Sequence, residues 1–176
     1  MTDKDNSKAA WLNWLAVTTI LFSTCATIAS FKGGGYGSGA MMAQTQASDL
    51  WAQYQAKSIK RYIESGQADT LALRLPELSG ASADAYRKQI DTYKTDAVRL
   101  EKDKEEIAQK ARALEQKRDD SQKHGGKFGL AILFLQLSIM LSALAAVMKK
   151  KPLWLTGVAI GAIGMIGFVN GFFLWF

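Results

Sequence analysis

A chain of 176 residues, 48% hydrophobic and carrying a formal charge of +6, has the averages of one small, basic, soluble domain. The distribution excludes that class: three runs, Ala9 to Phe31, Phe128 to Met148 and Leu153 to Phe176, contain no Asp, Glu, Lys, Arg or His, and each is long enough to cross about 30 Å of hydrocarbon. Residues 32–126 hold 16 basic and 14 acidic side chains, while Lys127, Lys149, Lys150 and Lys151 supply four of the six excess charges at span edges, so no net-basic soluble surface suggests nucleic acid.

In chain order, residues 1–8 form a short tail in which Lys4 and Lys8 balance Asp3 and Asp5. The first span, 9–31, is longer than the apolar core of a cleaved signal and reads as an uncleaved anchor, with Trp11 and Trp14 at the headgroup level. Its one cysteine, Cys25, allows no disulfide and reads as a small packing residue. Ala16, Thr19, Ser23, Thr27 and Ser30 form its small-residue stripe. The glycine-rich stretch 33–39 reads as a flexible or tightly turning joint. Its Gly35-Tyr36-Gly37 lacks the preceding Thr-Val and the pore helix of a potassium filter.

Two helices are expected in the extramembrane segment 32–126. The first, Ala40 to Ser65, shows Ala40, Ala43, Ala47, Trp51, Tyr54, Ser58 and Tyr62 at an 11-residue repeat, which suits a nearly straight helix. Gly66, Pro76 and Gly80 mark a turn region, with Ser82 as the N-cap of the next helix. From Ala83 to Ser121 the apolar positions step by three and four through Tyr86, Ile90, Tyr93, Ala97, Leu100, Lys104, Ile107, Ala111 and Leu114. That spacing is a coiled-coil seam in need of a partner helix. The two helices are expected to fold back on each other as an antiparallel hairpin.

The second span, 127–148, carries Ala131, Ser138, Ser142 and Ala146 as its small residues and one amide, Gln136. A basic turn, 149–152, leads to the third span, 153–176, where Gly157, Gly161, Gly164, Gly167 and Gly171 share one face beside Asn170. Small residues let helix backbones approach closely in lipid. Trp154 and Trp175 are spaced like two interfacial belts, and Phe176 reaches the far one.

The short basic turn belongs in the cytoplasm with the N-terminus, which sets the hairpin in the periplasm. The bases Arg112, Lys117, Arg118, Lys123 and Lys127 argue the other way. Chemistry is sparse. A lone His124 at a boundary makes no metal site and reads as an exposed interfacial residue, and the carboxylates on the long helix alternate with Lys and Arg as on a solvated face. No catalytic, cofactor-binding or metal-ligating set is expected. The spans' lack of ionisable groups disfavours coupled transport, and Gln136 and Asn170 are left as candidates for an interhelical hydrogen bond or a pore lining.

At Phe31-Lys32-Gly33-Gly34-Gly35-Tyr36, Gln46-Ala47-Ser48-Asp49, Trp51 and Tyr54-Gln55-Ala56-Lys57-Ser58-Ile59-Lys60, the chain resembles a bacterial membrane family catalogued as domain of unknown function 4337. The resemblance implies an N-terminal anchor, a helical middle and two C-terminal spans, and no site residue comes with it.

The expectation is therefore an all-α membrane protein with three transmembrane helices and an extramembrane helical hairpin between the first two. It is expected to be a non-enzymatic, homo-oligomeric scaffold or interaction module of the bacterial inner membrane. Its partners would be the lipid bilayer, its own copies and an unidentified protein, without cofactor or nucleic acid. A passive pore with Gln136 and Asn170 at its lumen is the alternative.

Overall fold

Apolar runs and a charged heptad segment all favour backbone that satisfies its hydrogen bonds internally. The computed structural model describes the backbone of residues 3–175 and the side chains of residues 11–175. The side chains of Lys4 and Lys8, and Phe176, lie outside the described residues. The elements are α1 (Asp3–Arg74), a 3-10 turn (Leu75–Glu77), α2 (Ala81–Met148) and α3 (Lys151–Phe173), with no strand among the described residues. Each α-helix contains a segment long and apolar enough to cross a membrane. The chain divides into two units, one of residues up to Met41 with those from Arg118 onward, the other Met42–Lys117.

Two expected breaks are helical. The stretch 33–39, read from sequence as a flexible or tightly turning joint, lies within α1, and so does Gly66. Packing explains part of this. A Cβ on Gly33 would lie 3.2 Å from Phe128 Cβ, one on Gly125 would lie 3.6 Å from Tyr36 Cβ, and Gly39 faces Ser121. These glycines let α1 and α2 approach closely, which offsets the cost of about 1 kcal/mol that each glycine carries in a helix. Gly34, Gly35 and Gly37 face open space, and no contact among the described residues accounts for them. The reversal comes later. Pro76 lies in the 3-10 turn, Leu78 is extended, and Gly80 takes φ +62°, a conformation that favours glycine. Asp84 N–H donates to Gly80 O at 3.3 Å, so α2 starts at Ala81 and Ser82 sits inside its first turn instead of capping it.

In the first unit, α3 runs antiparallel to α2 along a ladder of close contacts. A Cβ on Gly157 would meet Leu141 and the Ser138 carbonyl at 3.2 Å, one on Gly164 would lie 3.0 Å from the Leu135 backbone nitrogen, and Gly167 and Gly171 rest on Ala131 and Phe128. At Gly161 a Cβ would collide with the Phe22 ring and lie 2.7 Å from Ser138 Oγ. Ser138 and Ser142 are buried, and their hydroxyls have no conventional hydrogen-bond partner. Both hydroxyls face the glycine backbone of α3: a Cβ on Gly157 would lie 3.5 Å from Ser142 Oγ, as one on Gly161 would lie 2.7 Å from Ser138 Oγ. Phe22, Cys25 and Ala26 of α1 complete the core with Leu135, flanked by Ile139, Met165 and Phe168.

The small-residue stripe expected to pack the first span is turned outward: Ala16, Ser23, Thr27 and Ser30 are exposed and Thr19 is half-exposed. Leu15, Phe22, Ala26 and Ala29 are buried instead. The hydroxyls need no neighbouring helix, because Thr19 donates to Leu15 O at 2.7 Å, Ser23 to Ile20 O at 2.9 Å and Thr27 to Ser23 O at 2.9 Å. At the opposite end Trp154 Nε1 donates to Thr18 Oγ1 at 3.1 Å, and its ring lies 6.3 Å from that of Trp11.

Gly164→Val should overpack the α2–α3 contact at a cost of about 1–3 kcal/mol. The apparent melting temperature in detergent should then fall by about 2–4 °C per kcal/mol for a chain of this size. Gly34→Ala, which meets nothing, should leave it unchanged or raise it.

Candidate functional site: two polar helix junctions

Besides Ser138 and Ser142 in the α2–α3 contact, the buried polar residues among the described ones, Asn170 and Lys104, lie at two junctions between helices. In the first unit, three helices meet around His124 of α2. Its Nδ1 lies 2.8 Å from the carbonyl oxygen of Gly171 in the last turn of α3, so that nitrogen carries the proton and donates. The ring stacks on Tyr36 of α1 with centroids 4.7 Å apart and planes 10° from parallel. One turn on, Phe128 meets Phe168 and Phe172 of α3 edge to face. The expected exposed boundary histidine is half-buried and ties three helices.

The reason lies in how α3 ends. Leu174 adopts the left-handed conformation at φ 49°, and its N–H donates to Asn170 O at 2.8 Å. The next N–H, of Trp175, turns to the Asn170 side chain, which accepts it through Oδ1 at 2.7 Å. The Gly171 carbonyl thereby loses the donor four residues ahead that a continuing helix would supply, and His124 takes that place. Asn170, expected to line a pore or bridge helices, is buried and acts as a cap. Gln136 is exposed on α2, about two turns away in level, so the structure does not bring the two amides together.

The second junction lies in the unit Met42–Lys117. Along α1 the partners on α2 descend as α1 ascends. Trp51 Nε1 donates to Glu115 Oε1 at 2.9 Å, Lys57 Nζ to Asp103 Oδ2 at 2.6 Å, and Arg61 Nε sits 2.9 Å from Glu101 Oε2, an ion pair without hydrogen-bond alignment. Lys104 is buried. It donates to both Glu101 oxygens at 3.1 Å and lies 5.0 Å from the centroid of Tyr54, an arrangement that keeps an ammonium solvated by a carboxylate and a ring face. The Lys57 hydrogen bond lowers the Asp103 pKa; partial desolvation opposes it, and the Lys57, Arg99 and Lys102 charges reinforce it.

Of the proposed seam on α2, Ile90, Leu100, Ile107 and Ala111 are buried, and Tyr86, Tyr93, Ala97 and Leu114 are half-buried. Of the 11-residue stripe on α1, Ala40, Ala43 and Ala47 are buried, Trp51, Tyr54 and Ser58 are half-buried, and Tyr62 is exposed; Leu50, Lys57, Arg61, Ala68 and Leu71 are buried or half-buried as well. Sequence reasoning missed the cross-helix pairs and the role of His124. Lys104 at an apolar seam position, three residues after Glu101, was the available signal for the first. For the second there was none, since the partner is a backbone carbonyl 47 residues away.

Among the described residues no group of three His, Cys, Asp or Glu side chains is placed to hold a metal ion. What both junctions do chemically is satisfy donors and acceptors between helices. The family described as a domain of unknown function (DUF4337) matches the chain over residues 11–174, and the chain belongs to it. No curated protein and no solved structure matches the chain.

Two outcomes follow from this geometry. His124→Phe keeps a ring over Tyr36 but leaves the Gly171 carbonyl without its donor, so stability should drop by about 1–3 kcal/mol, read as a lower melting temperature in detergent. Asp103 titrates near 3.9 when unfolded and lower when folded, so its contribution is present above that pH and is lost as pH falls through the folded value. Asp103→Asn should therefore destabilise the protein at pH 7, and melts of variant and wild type should converge as pH falls through the lowered folded-state pKa.

Proposed function

We propose that this member of the DUF4337 family is a non-enzymatic integral membrane protein that assembles with its own copies into a scaffold or interaction module. The observation that carries this reading is where the polar side chains are used. In the unit Met42–Lys117, Lys57–Asp103 and Arg61–Glu101 pair across two helices, and Asp84–Arg87, Asp96–Arg99 and Glu101–Lys104 pair at i, i+3 on one helix, while His124 and Asn170 cap a helix end. The chemistry is spent on shape. The bacterial inner membrane is the setting, with the N-terminus cytoplasmic and the paired segments of α1 and α2 in the periplasm, as the short basic turn Lys149 to Lys151 requires under the positive-inside rule.

In this reading residues 42–117 form an antiparallel coiled-coil hairpin. Descending cross-helix partners and the three-four spacing of sheltered positions on both helices support it. A buried Lys104 at a seam position fits the use of one polar residue to specify register. The glycines of α3 are already filled by α2 and Phe22 of the same chain, so self-association falls to other faces. A pore remains the second reading because Gln136 is exposed among Leu133, Leu137 and Met140, all exposed as well, where an amide in hydrocarbon seeks a polar partner or water.

The purified chain in mild detergent should behave as one defined oligomer by light scattering, and a monodisperse monomer overturns the proposal. Reconstituted in planar bilayers, that oligomer should be silent. Currents that change on Gln136→Leu would replace the scaffold reading with the pore.

A further inference from the structure

The helix α1 carries a second heptad face, one that none of the described residues covers. Opposite the positions that meet α2, the residues Ala52, Ala56, Ile59, Ile63, Gly66, Thr70 and Leu73 step by four and three, and all are exposed. Ile59 is 61%, Ile63 53% and Leu73 80% exposed, with Tyr62 beside them at 66%. None of the seven is charged. The outward face of α2 in the same unit differs. It presents Lys88, Thr92, Thr95, Arg99, Lys102 and Glu106, all exposed, as a helix face in water does. A solvated face has no reason to keep a 3.5-residue apolar repeat, whereas a face that meets another helix does.

We infer that the Ala52–Leu73 face of α1 packs, parallel and in register, against the same face of a second copy of this chain. The inference rests on the oligomeric reading above and names its interface. Copies inserted the same way in one membrane, related by an axis along its normal, present equivalent helices running in the same direction. The flanking charges fit that direction. In a parallel, in-register pair the residue just before seam position Thr70 lies across from the residue just after Leu73, which sets Asp69 of each copy against Arg74 of the other. An antiparallel pair would instead set Lys60 and Arg74 on the same side of the contact. Among the described residues neither Asp69 nor Arg74 makes an ion pair within the chain. The two less apolar positions also suit a helix neighbour. Thr70 already donates its hydroxyl to Gly66 O at 2.8 Å, and Gly66 has no atom within 4 Å of its missing Cβ, which leaves room for a facing backbone.

The test uses the full chain in native membranes with Cys25→Ala as background. In a parallel, in-register pair equivalent seam residues face each other, so Ile59→Cys and Ile63→Cys should each oxidise to a covalent homodimer at least about fivefold more than Lys88→Cys on the charged face of α2, since a disulfide needs Cα atoms within about 7 Å. Ile63→Glu should shift the detergent-solubilised particle to a smaller species while the helical circular dichroism is retained. Equal cross-linking at all three positions, or an adduct to a different protein, overturns the inference. If the wild-type oligomer persists yet neither seam cysteine cross-links, this interface is refuted and the oligomeric proposal stands. A monomeric wild type refutes both.

Discussion

Close contact between the backbones of α2 and α3 is the constraint on which the first unit depends. From Gly157 to Gly171, each glycine on that face of α3 takes up a side chain or backbone atom of α2, and at Gly161 the ring of Phe22 enters as well. A single methyl at Gly161 or Gly164 would occupy space already held by a neighbour. In an apolar solvent no hydrophobic drive pulls helices together, so van der Waals contact at this distance supplies the attraction. The choice of face on α1 follows from it. Once Phe22 is drawn over Gly161, Ala26 and Ala29 turn inward with it and the Ser and Thr positions turn out.

Helix ends pose the second demand, because carbonyls and amides left over at a terminus are costly where water is scarce. The C-terminal end of α3 meets it with two side chains from different helices. Asn170 accepts the Trp175 N–H, and His124 donates to Gly171 O. A residue type that invites a catalytic reading thus closes a hydrogen-bond account that the last turn of a helix leaves open.

In the unit Met42–Lys117 the paired charges are half-exposed, and pairs of that kind contribute little individually. The apolar positions Ile90, Leu100, Ile107 and Ala111, buried against α1, supply the stabilisation. The buried Lys104 has Glu101 on its own helix and the ring of Tyr54 on α1, so its charge is met by one neighbour from each helix.

By itself the amino-acid sequence determined the helical class, the three apolar segments and the spacing of sheltered positions on α2, because length, charge exclusion and the three-four period are properties of one helix. Periodicity also drew attention to the glycine face of α3. Only the tertiary structure decided which neighbour fills that face, which side of α1 points inward, that 33–39 and Gly66 remain helical, and that His124 and Asn170 are caps. Glycine was read as a breaker because a lone helix gains nothing from it, and beside Phe128 or Tyr36 it admits a second helix. A period names a stripe, but the shape of the facing helix selects among stripes, and that shape is assembled from residues distant in the chain.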